Sequence, residues 1–270
     1  MEIKHKYLPN LAVVTMAIAL NKGLSRMYFL SVSKLAVGIA FLLTTFTYTP
    51  VAFAQDNYPS YYREKAIHNP DGIGKYYMRR EIAGVMGHQA MMWLERPSRE
   101  VEEEPDTTVE QLELQSGDTV ADIGAGSGYF SFRIAKQVPQ GKVYAVDIQP
   151  EMLDAVSFFK EENGITNVET ILGQEDSPNL PEASIDLAFM VDAYHEFSYP
   201  REMMEGIVKA LKPGGRVVLL EYRKENPLIM IKPLHKMTQK QVKKELKAVG
   251  LKWQTTKEFL PEQHFLVFSK

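Results

Sequence analysis

The sequence has no cysteine, no excess of basic residues and no internal repeat. Without cysteine, disulfide bonds, thiolate metal sites and a cysteine nucleophile are all excluded. The formal net charge of −3 argues against a broad nucleic-acid-binding surface, which would carry a basic bias. The missing repeat argues against a solenoid or a propeller. What remains is a chain of 270 residues with ordinary globular composition, 45% hydrophobic and 24% charged, enough for one large domain or two small ones.

The N-terminal residues 1–54 differ in composition from the rest. They hold five Lys/Arg and one acid, which leaves 26 basic and 33 acidic residues in 55–270. A short apolar run, LAVGIAFLL, is followed by Ala-Phe-Ala at 52–54, which fits the small-x-small pattern that signal peptidase accepts. We therefore predict a cleaved export signal, with Met27 as an alternative start, or else a membrane anchor over residues 29–54. Contact with a membrane is expected only through this segment.

Residues 55–106 are predicted to form an N-terminal arm and a helical cap. Tyr, Asn, Pro and Gly are frequent in residues 55–80, which is typical of irregular structure. Residues 81–94, EIAGVMGHQAMMWL, carry apolar side chains at approximately helical spacing, so we predict a helix that packs on the domain core. The acidic stretch ERPSREVEEEPDT that follows is predicted to be a solvated linker.

From residue 107 onward, segments typical of strands and helices alternate. The strand-like segments are TVADIG (119–124), KVYAVDI (142–148), NVETIL (167–172), SIDLAFMV (184–191), RVVLLEY (216–222), LKWQTTKEF (251–259) and HFLVFSK (264–270). Helical segments between most of them imply βαβ units, and hence a Rossmann-like, doubly wound and mostly parallel α/β sheet of seven strands. A turn at Pro261 joins the last two strands, so the last strand is predicted to run antiparallel to its neighbour.

The first strand runs into a glycine-rich loop, ADIGAGSGYF, with Gly124, Gly126 and Gly128. Glycine lets the backbone turn sharply and approach a ligand closely, and ligands of such sheets bind at the carboxyl ends of the strands. The spacing fits neither the dinucleotide fingerprint, because Tyr129 stands at the last position, nor a P-loop, which needs a lysine. Asp147, at the end of the second strand, can accept hydrogen bonds from two ribose hydroxyls.

These motifs resemble those of the class I S-adenosylmethionine-dependent methyltransferases. VADIGAGSGYFSFRIA and VYAVDIQPEML look like the first two motifs of that family, and LKPGGRVVLLEY resembles its stretch leading into the fifth strand. The resemblance covers roughly residues 107–270 and implies a methyltransferase domain there, with S-adenosylmethionine as its cofactor. The implied roles are the methionine moiety for Asp122, Gly124 and Gly126, the ribose for Asp147, and the adenine for Ile148.

The loop after the third strand departs from the family pattern. Where the family often has Gly-Asp, with the acid accepting from the adenine amino group, this chain has Gly173-Gln174-Glu175-Asp176. Gln174, Glu175 and Asp176 therefore stay open as candidates for that contact.

The fourth strand ends in VDAYHEF, where the resemblance places the sulfonium of the cofactor. Asp192 is predicted to contact the cofactor, His195 to act as a general base because imidazole titrates near neutrality, and Tyr194 to orient the acceptor. A binding role or a purely structural role for His195 stays open. His88, His195, Glu196 and His235 come from separated segments without metal-ligand spacing, so no metal site is predicted.

The predicted function is methyl transfer from S-adenosylmethionine to a small-molecule acceptor, with no nucleic acid involved. Two alternatives from other classes stay open at this point. One is a non-catalytic module that binds S-adenosylmethionine or a nucleotide, and the other is an NAD-dependent oxidoreductase, which Tyr129 disfavours.

Overall fold

The computed structural model describes residues 61–270, so the predicted export signal or anchor lies outside the described residues. Within the described part, no helix is long and apolar enough to cross a membrane. The strands are β1 Tyr62–Glu64, β2 Gly72–Tyr77, β3 Arg80–Ala83, β4 Thr119–Ile123, β5 Lys142–Asp147, β6 Val168–Leu172, β7 Ile185–Val191, β8 Leu211–Tyr222, β9 Lys252–Lys257 and β10 Gln263–Ser269. The α-helices are α1 Met91–Leu94, α2 Arg99–Glu102, α3 Pro105–Glu110, α4 Ser131–Gln137, α5 Pro150–Glu162, α6 Pro200–Ala210 and α7 Gln239–Lys247.

Seven strands form one sheet in the order β6-β5-β4-β7-β8-β10-β9. The five strands from β4 to β8 pair in parallel, whereas β10 is antiparallel to both of its neighbours, β8 and β9. The predicted doubly wound α/β sheet with an antiparallel last strand is therefore confirmed. The strand order reverses between β4 and β7, and a crevice for ligands is expected at the carboxyl ends of these two strands.

Both faces of the central strands are buried under helices, as a parallel sheet requires. In β7, Leu187 and Phe189 belong to the apolar layer shared with α4 and α5, while Ala188 and Met190 belong to the layer shared with α6 and α7. This alternation follows from the two-residue period of a strand. The core therefore holds the strand ends rigidly, and the loops that leave them carry the polar residues.

The N-terminal part of the described chain is a three-stranded antiparallel sheet, β1-β2-β3, so the irregular arm and the helix predicted over residues 81–94 are wrong. Met78 and Arg79 form a two-residue connection between β2 and β3 with positive φ at both positions, 46° and 80°. Such a connection closes a tight hairpin. Only Met91–Leu94 is α-helical in that stretch, because glycines at 84 and 87 weaken a longer helix.

The predicted solvated linker over residues 95–107 is also wrong in its central part. It contains α2, and Arg99 and Glu103 within it are both buried. The Arg99 Nε donates to Glu103 Oε1 (2.8 Å) and Nη2 donates to Glu103 Oε2 (2.7 Å). Two charged side chains that pair in this bidentate way can be buried. The prediction treated each of them as a solvated polar residue, because their pairing is not visible in the sequence.

Arg80 joins the N-terminal sheet to the rest of the structure. Its Nε and Nη2 donate to the two carboxylate oxygens of Glu245 on α7 (3.0 and 3.1 Å), and its Nη1 donates to the carbonyl of His195 (2.9 Å). Tyr194 also donates its hydroxyl to Glu245 (2.8 Å). All four residues are buried, so this network fixes the position of the loop after β7.

Candidate active site

A cavity of about 690 Å³ opens at the carboxyl ends of β4, β5, β7 and β8. Its volume falls in the range of about 300–1,000 Å³ that is typical of small-molecule sites. Trp93 and Leu94 of α1 line it on one side, and Met230 and Ile231 from the loop after β8 line it on another. We refer to its two extremes as the glycine-loop end, at Gly124 and the groups around it, and the histidine end, at His195 and its partners.

The glycine-loop end is shaped by backbone conformation. Gly124 and Gly126 have φ values of +76° and +56°, and a Cβ on Gly124 would lie 2.7 Å from the Cβ of Ala193. The Gly126 N–H donates to Asp147 Oδ2 and the Gln149 N–H donates to Asp147 Oδ1, each at 2.9 Å. Burial raises the pKa of Asp147 while these donors act in the opposite direction. The carboxylate is thereby fixed at the wall of the cavity.

The structure brings most of the predicted site residues to this cavity but not all of them. The predicted residues that line it are Gly124, Gly126, Asp147, Ile148, Glu175, Asp192 and His195. Those that do not line it are Asp122, Gly128, Gln174 and Tyr194. Gly128, at φ +84°, packs against Phe132 where the chain turns into α4. Both Gln174 and Glu175 are exposed, but only Glu175 lines the cavity, so Glu175 is the better placed of the two for an adenine contact.

Asp122 lies beneath the glycine loop instead of facing a ligand. It is buried, and the hydroxyl of Ser131 at the start of α4 donates to its Oδ2 (2.6 Å). Burial raises the pKa of Asp122 to about 6. Side chains of a strand alternate between its two faces, and Asp122 points to the α4 side. Its role in this structure is to tie the loop to the following helix.

Asp192 offers the unpaired carboxylate oxygen that Asp122 was predicted to supply. Its backbone has φ +49°, and the Gln263 side-chain amide donates to its Oδ2 (2.7 Å). The other oxygen, Oδ1, is buried and has no hydrogen-bond partner among the described residues. Burial raises the pKa of Asp192 well above its ordinary value. A cationic group of a ligand would satisfy this oxygen.

Tyr194 is a core residue and does not face the cavity. Its ring is almost fully buried and packs edge-on against Phe197, and its hydroxyl is engaged by Glu245. The predicted role of Tyr194 in orienting an acceptor is therefore wrong. The short 3₁₀ turn Tyr194–Glu196 explains the difference, because consecutive side chains of that turn point in different directions and only His195 and Glu196 reach the cavity.

The histidine end holds a group that we call the histidine–carboxylate cluster, defined as His195, Glu196, Glu221 and His235. The His195 Nδ1 lies 2.7 Å from Glu221 Oε2, and the His195 Nε2 lies 3.1 Å from His235 Nδ1. Glu196 Oε1 lies 3.3 Å from His235 Nδ1 and 3.8 Å from His195 Nε2. Burial lowers the pKa of His195 to about 3 and raises the pKa of Glu221 to about 8, so the imidazole is neutral at pH 7.

Glu221 is a member of this cluster that sequence reasoning missed. It is the penultimate residue of β8 and is fully buried at the end of an apolar run. The same signal, an acid at the end of a buried strand, marks Asp192 and could have identified Glu221. His88 was grouped with the other histidines in the sequence, but its ring contacts Gln89 and Glu151 instead.

Comparison with known proteins identifies a family. The family model described as a methyltransferase domain matches residues 114–264. The tRNA U34 carboxymethyltransferase of Desulfotalea psychrophila is 35% identical over 106 residues, which cover 38% of this chain and 32% of that protein. The ubiquinone/menaquinone biosynthesis C-methyltransferase of Pseudomonas putida is 27% identical over 127 residues, which cover 46% of this chain and 50% of that protein. The chain thus spans about a third to a half of these relatives.

A solved structure supports the same assignment. The S-adenosylmethionine-dependent methyltransferase from Aquifex aeolicus superposes with a TM-score of 0.65 and 26% sequence identity, covering 68% of this chain and 99% of that one. The cavity described above opens at the strand ends of the matched domain, where sheets of this kind bind ligands, and residues between Pro70 and Glu103, which precede the matched range, complete its lining.

Proposed function

The chain belongs to the class I S-adenosylmethionine-dependent methyltransferase family, and from that premise we propose that it transfers a methyl group from S-adenosylmethionine to a small-molecule acceptor. One observation carries this proposal. A single cavity joins the glycine loop and Asp147 at one end to the histidine–carboxylate cluster at the other. Cofactor and acceptor can therefore lie side by side in it, which is what an in-line transfer between them requires.

The residues at the glycine-loop end fit the cofactor. Asp147 would hold the ribose hydroxyls, Ile148 and Glu175 would contact the adenine, and Gly124 leaves room for the backbone to approach the ligand closely. The unpartnered Oδ1 of Asp192 would accept from the ammonium group. When bound, S-adenosylmethionine supplies an electrophilic methyl group on a positively charged sulfur.

At the histidine end, the chain's own residues would position the acceptor and exclude water. Apolar side chains of Trp93, Phe197 and Met230 line the same cavity as His195, Glu196 and His235 of the cluster. That His195 acts as the general base stays a prediction. Its two ring nitrogens already contact Glu221 and His235, so a base role requires one of these contacts to open.

A small-molecule acceptor is favoured over a nucleic acid by the form of the site. Segments before β4 and after β8 line the cavity on two sides, which suits a ligand that enters it more than a polymer that crosses a surface. The acidic excess of residues 55–270 points the same way, because a polyanion would be repelled. Export through residues 1–54 is part of the proposal, and sequencing the N-terminus of the mature protein tests it.

Calorimetric titration of the purified full chain with S-adenosylmethionine, S-adenosylhomocysteine and NAD tests the cofactor. We expect the first two to bind and Asp147→Ala to weaken binding about 100-fold, since two hydrogen bonds to a charged group are lost. Asp154→Ala, an exposed acid on α5, is the matched control and should bind normally. Binding of NAD alone would contradict the proposal.

The acceptor class is tested with S-adenosylmethionine carrying a radiolabelled methyl group. The full chain is incubated with extracted small molecules or with bulk tRNA, and label is counted in each fraction. Transfer to the small-molecule fraction is expected. Label that appears only in tRNA would overturn the small-molecule assignment and leave the cofactor assignment intact.

A further inference from the structure

Three ligand-type atoms of the histidine–carboxylate cluster converge on one point. They are His195 Nε2, His235 Nδ1 and Glu196 Oε1, with separations of 3.1, 3.3 and 3.8 Å. The point equidistant from the three in their plane lies about 2.0 Å from each. Zinc binds imidazole nitrogen at about 2.0–2.1 Å and carboxylate oxygen at about 2.0–2.2 Å. The triangle is therefore already of the size that a metal ion requires.

A hydrogen bond between the two imidazole rings would explain only one of these three distances. The carboxylate oxygen of Glu196 closes the triangle, and its other oxygen, Oε2, accepts from the backbone N–H of Met86 (3.1 Å). A ligating carboxylate is usually held by such an outer hydrogen bond. Glu196 is thus fixed by the segment that follows β3, through an oxygen other than the one that faces His235.

His195 has the matching outer partner. Its Nδ1 faces Glu221 Oε2 at 2.7 Å, and the His195 backbone N–H also donates to the Glu221 carboxylate (3.3 Å). A carboxylate behind one ring nitrogen orients the other nitrogen toward a metal and fixes its tautomer. Two of the three atoms are therefore supported by hydrogen bonds that the proposed methyl transfer does not itself need.

We propose that the histidine–carboxylate cluster binds a divalent transition metal ion, with His195, Glu196 and His235 as its protein ligands. Two imidazoles and one carboxylate suit zinc, iron(II) or cobalt(II) better than magnesium or calcium, which prefer oxygen. Three protein ligands leave at least one coordination position open, as in catalytic metal sites. All three residues line the cavity, so the open position faces it.

The open position defines a class of acceptor, and this step rests on the proposed function. A phenol or enol hydroxyl would coordinate there and lose its proton to solvent, because a metal ion lowers the pKa of a bound hydroxyl. The acceptor oxygen then forms the bond to the methyl carbon, and the carbon–sulfur bond breaks with its electron pair on sulfur. The products are the methyl ether and S-adenosylhomocysteine. Apolar Phe197 and Met230, which line the same cavity, suit an aromatic ring.

Titration of the full chain with Co²⁺ tests the metal site directly. The protein is first treated with chelator, and visible absorption is followed, which in a chain without cysteine reports only nitrogen and oxygen ligands. We expect binding of one equivalent. His235→Ala and Glu196→Gln should each weaken it at least 100-fold, and Glu221→Gln about 10–100-fold, which is typical of an outer-shell change. His88→Ala is the matched control, because that ring lies outside the cluster, and should bind Co²⁺ as the unmodified chain does.

The two proposals can fail separately in this experiment. Thermal unfolding without metal verifies that each variant folds, and His235 ends the short 3₁₀ turn Pro233–His235 and is only partly buried, so its removal should be tolerated. Calorimetry with S-adenosylmethionine is repeated in chelator, where binding should persist. Loss of cofactor binding would count against the proposed function alone. Co²⁺ binding that is absent, or unchanged in His235→Ala and Glu196→Gln, would overturn the metal site.

Catechol probes the acceptor class. Added to the Co²⁺-loaded protein, it is expected to shift the visible bands, and no shift is expected with His235→Ala. Bands that stay unchanged at millimolar catechol in the unmodified protein would overturn the oxygen-acceptor assignment while the metal site stands.

Discussion

The two ends of the cavity are built in different ways. At the glycine-loop end, the glycine loop and Asp147 belong to two consecutive strand–loop units, and Asp147 is held by backbone N–H groups of Gly126 and Gln149. At the histidine end, the groups come from four separated segments, and the contact between Met86 and Glu196 spans 110 residues. One end is therefore local in sequence, while the other exists only once the whole domain has folded.

Whether an end is local or assembled determines which properties respond to a substitution there. A local site depends on loop conformation, so a substitution there changes ligand affinity and leaves the rest of the fold intact. An assembled site depends on the packing that brings its segments together. Stability and site geometry should therefore change together at the histidine end, and independently at the glycine-loop end.

The strongest test of this comparison is Arg80→Ala. We expect the free energy of unfolding to fall by about 3–5 kcal/mol, because Glu245 would remain buried without its partner. The change also removes the donor to the His195 carbonyl, so Co²⁺ affinity should fall in the folded protein. Affinity for S-adenosylmethionine should stay within about twofold, since the glycine-loop end does not contact Arg80. Urea unfolding and calorimetry measure these quantities.

Arg63→Ala provides the control for that experiment. Arg63 is an exposed arginine on β1, so its removal should change stability by less than about 0.5 kcal/mol. If Arg80→Ala weakened S-adenosylmethionine binding as strongly as it weakened metal binding, the two ends would be coupled. The glycine-loop end would then not be independent of the packing that assembles the histidine end.

The same contrast explains how much of the fold could be predicted from the sequence. Alternating apolar runs and the Pro261 turn were sufficient for the central sheet, because each strand is marked by its own residues. The N-terminal sheet was mispredicted because its hairpin depends on positive φ at Met78 and Arg79, which are not residues that favour it. Pairing with β1 and burial of Arg80 against Glu245 stabilise it, and neither is visible in the local pattern.

The residues of the site divide in the same way into those that a local motif marks and those that only the fold brings together. Gly124, Gly126 and Asp147 lie together because the glycine turn and the acid end two neighbouring parallel strands, and each of the two is marked by its own motif in the sequence. Asp122 was assigned to the ligand, although strand alternation and Ser131 direct it to α4. His235 was separated from His195 by 40 residues of chain, so no spacing rule could pair them before the fold was known.

Met230→Ala tests whether the histidine end binds the acceptor separately from the cofactor. Met230 is 94% exposed and lines the cavity, so an acceptor would cover it on binding. Removing about 60 Å² of such apolar contact should raise the KM for the acceptor about tenfold. Affinity for S-adenosylmethionine should not change. Leu228→Ala is the matched control, because Leu228 is 83% exposed on the same loop and does not line the cavity. An equal KM effect from both variants would show that the loop acts only through its conformation.

The smallest expected effect separates two neighbours at the glycine-loop end. Glu175 lines the cavity and Gln174 does not, although the sequence left both open as partners of the adenine amino group. Glu175→Ala should weaken S-adenosylmethionine binding about threefold, the value of one solvent-accessible hydrogen bond, and Gln174→Ala should leave it unchanged. Inosine-type analogues, which lack the amino group, should bind the unmodified chain and Glu175→Ala equally. If Gln174→Ala produced the larger loss, the loop after β6 would have to rearrange on binding, and this end of the cavity would not be as preformed as its backbone hydrogen bonds indicate.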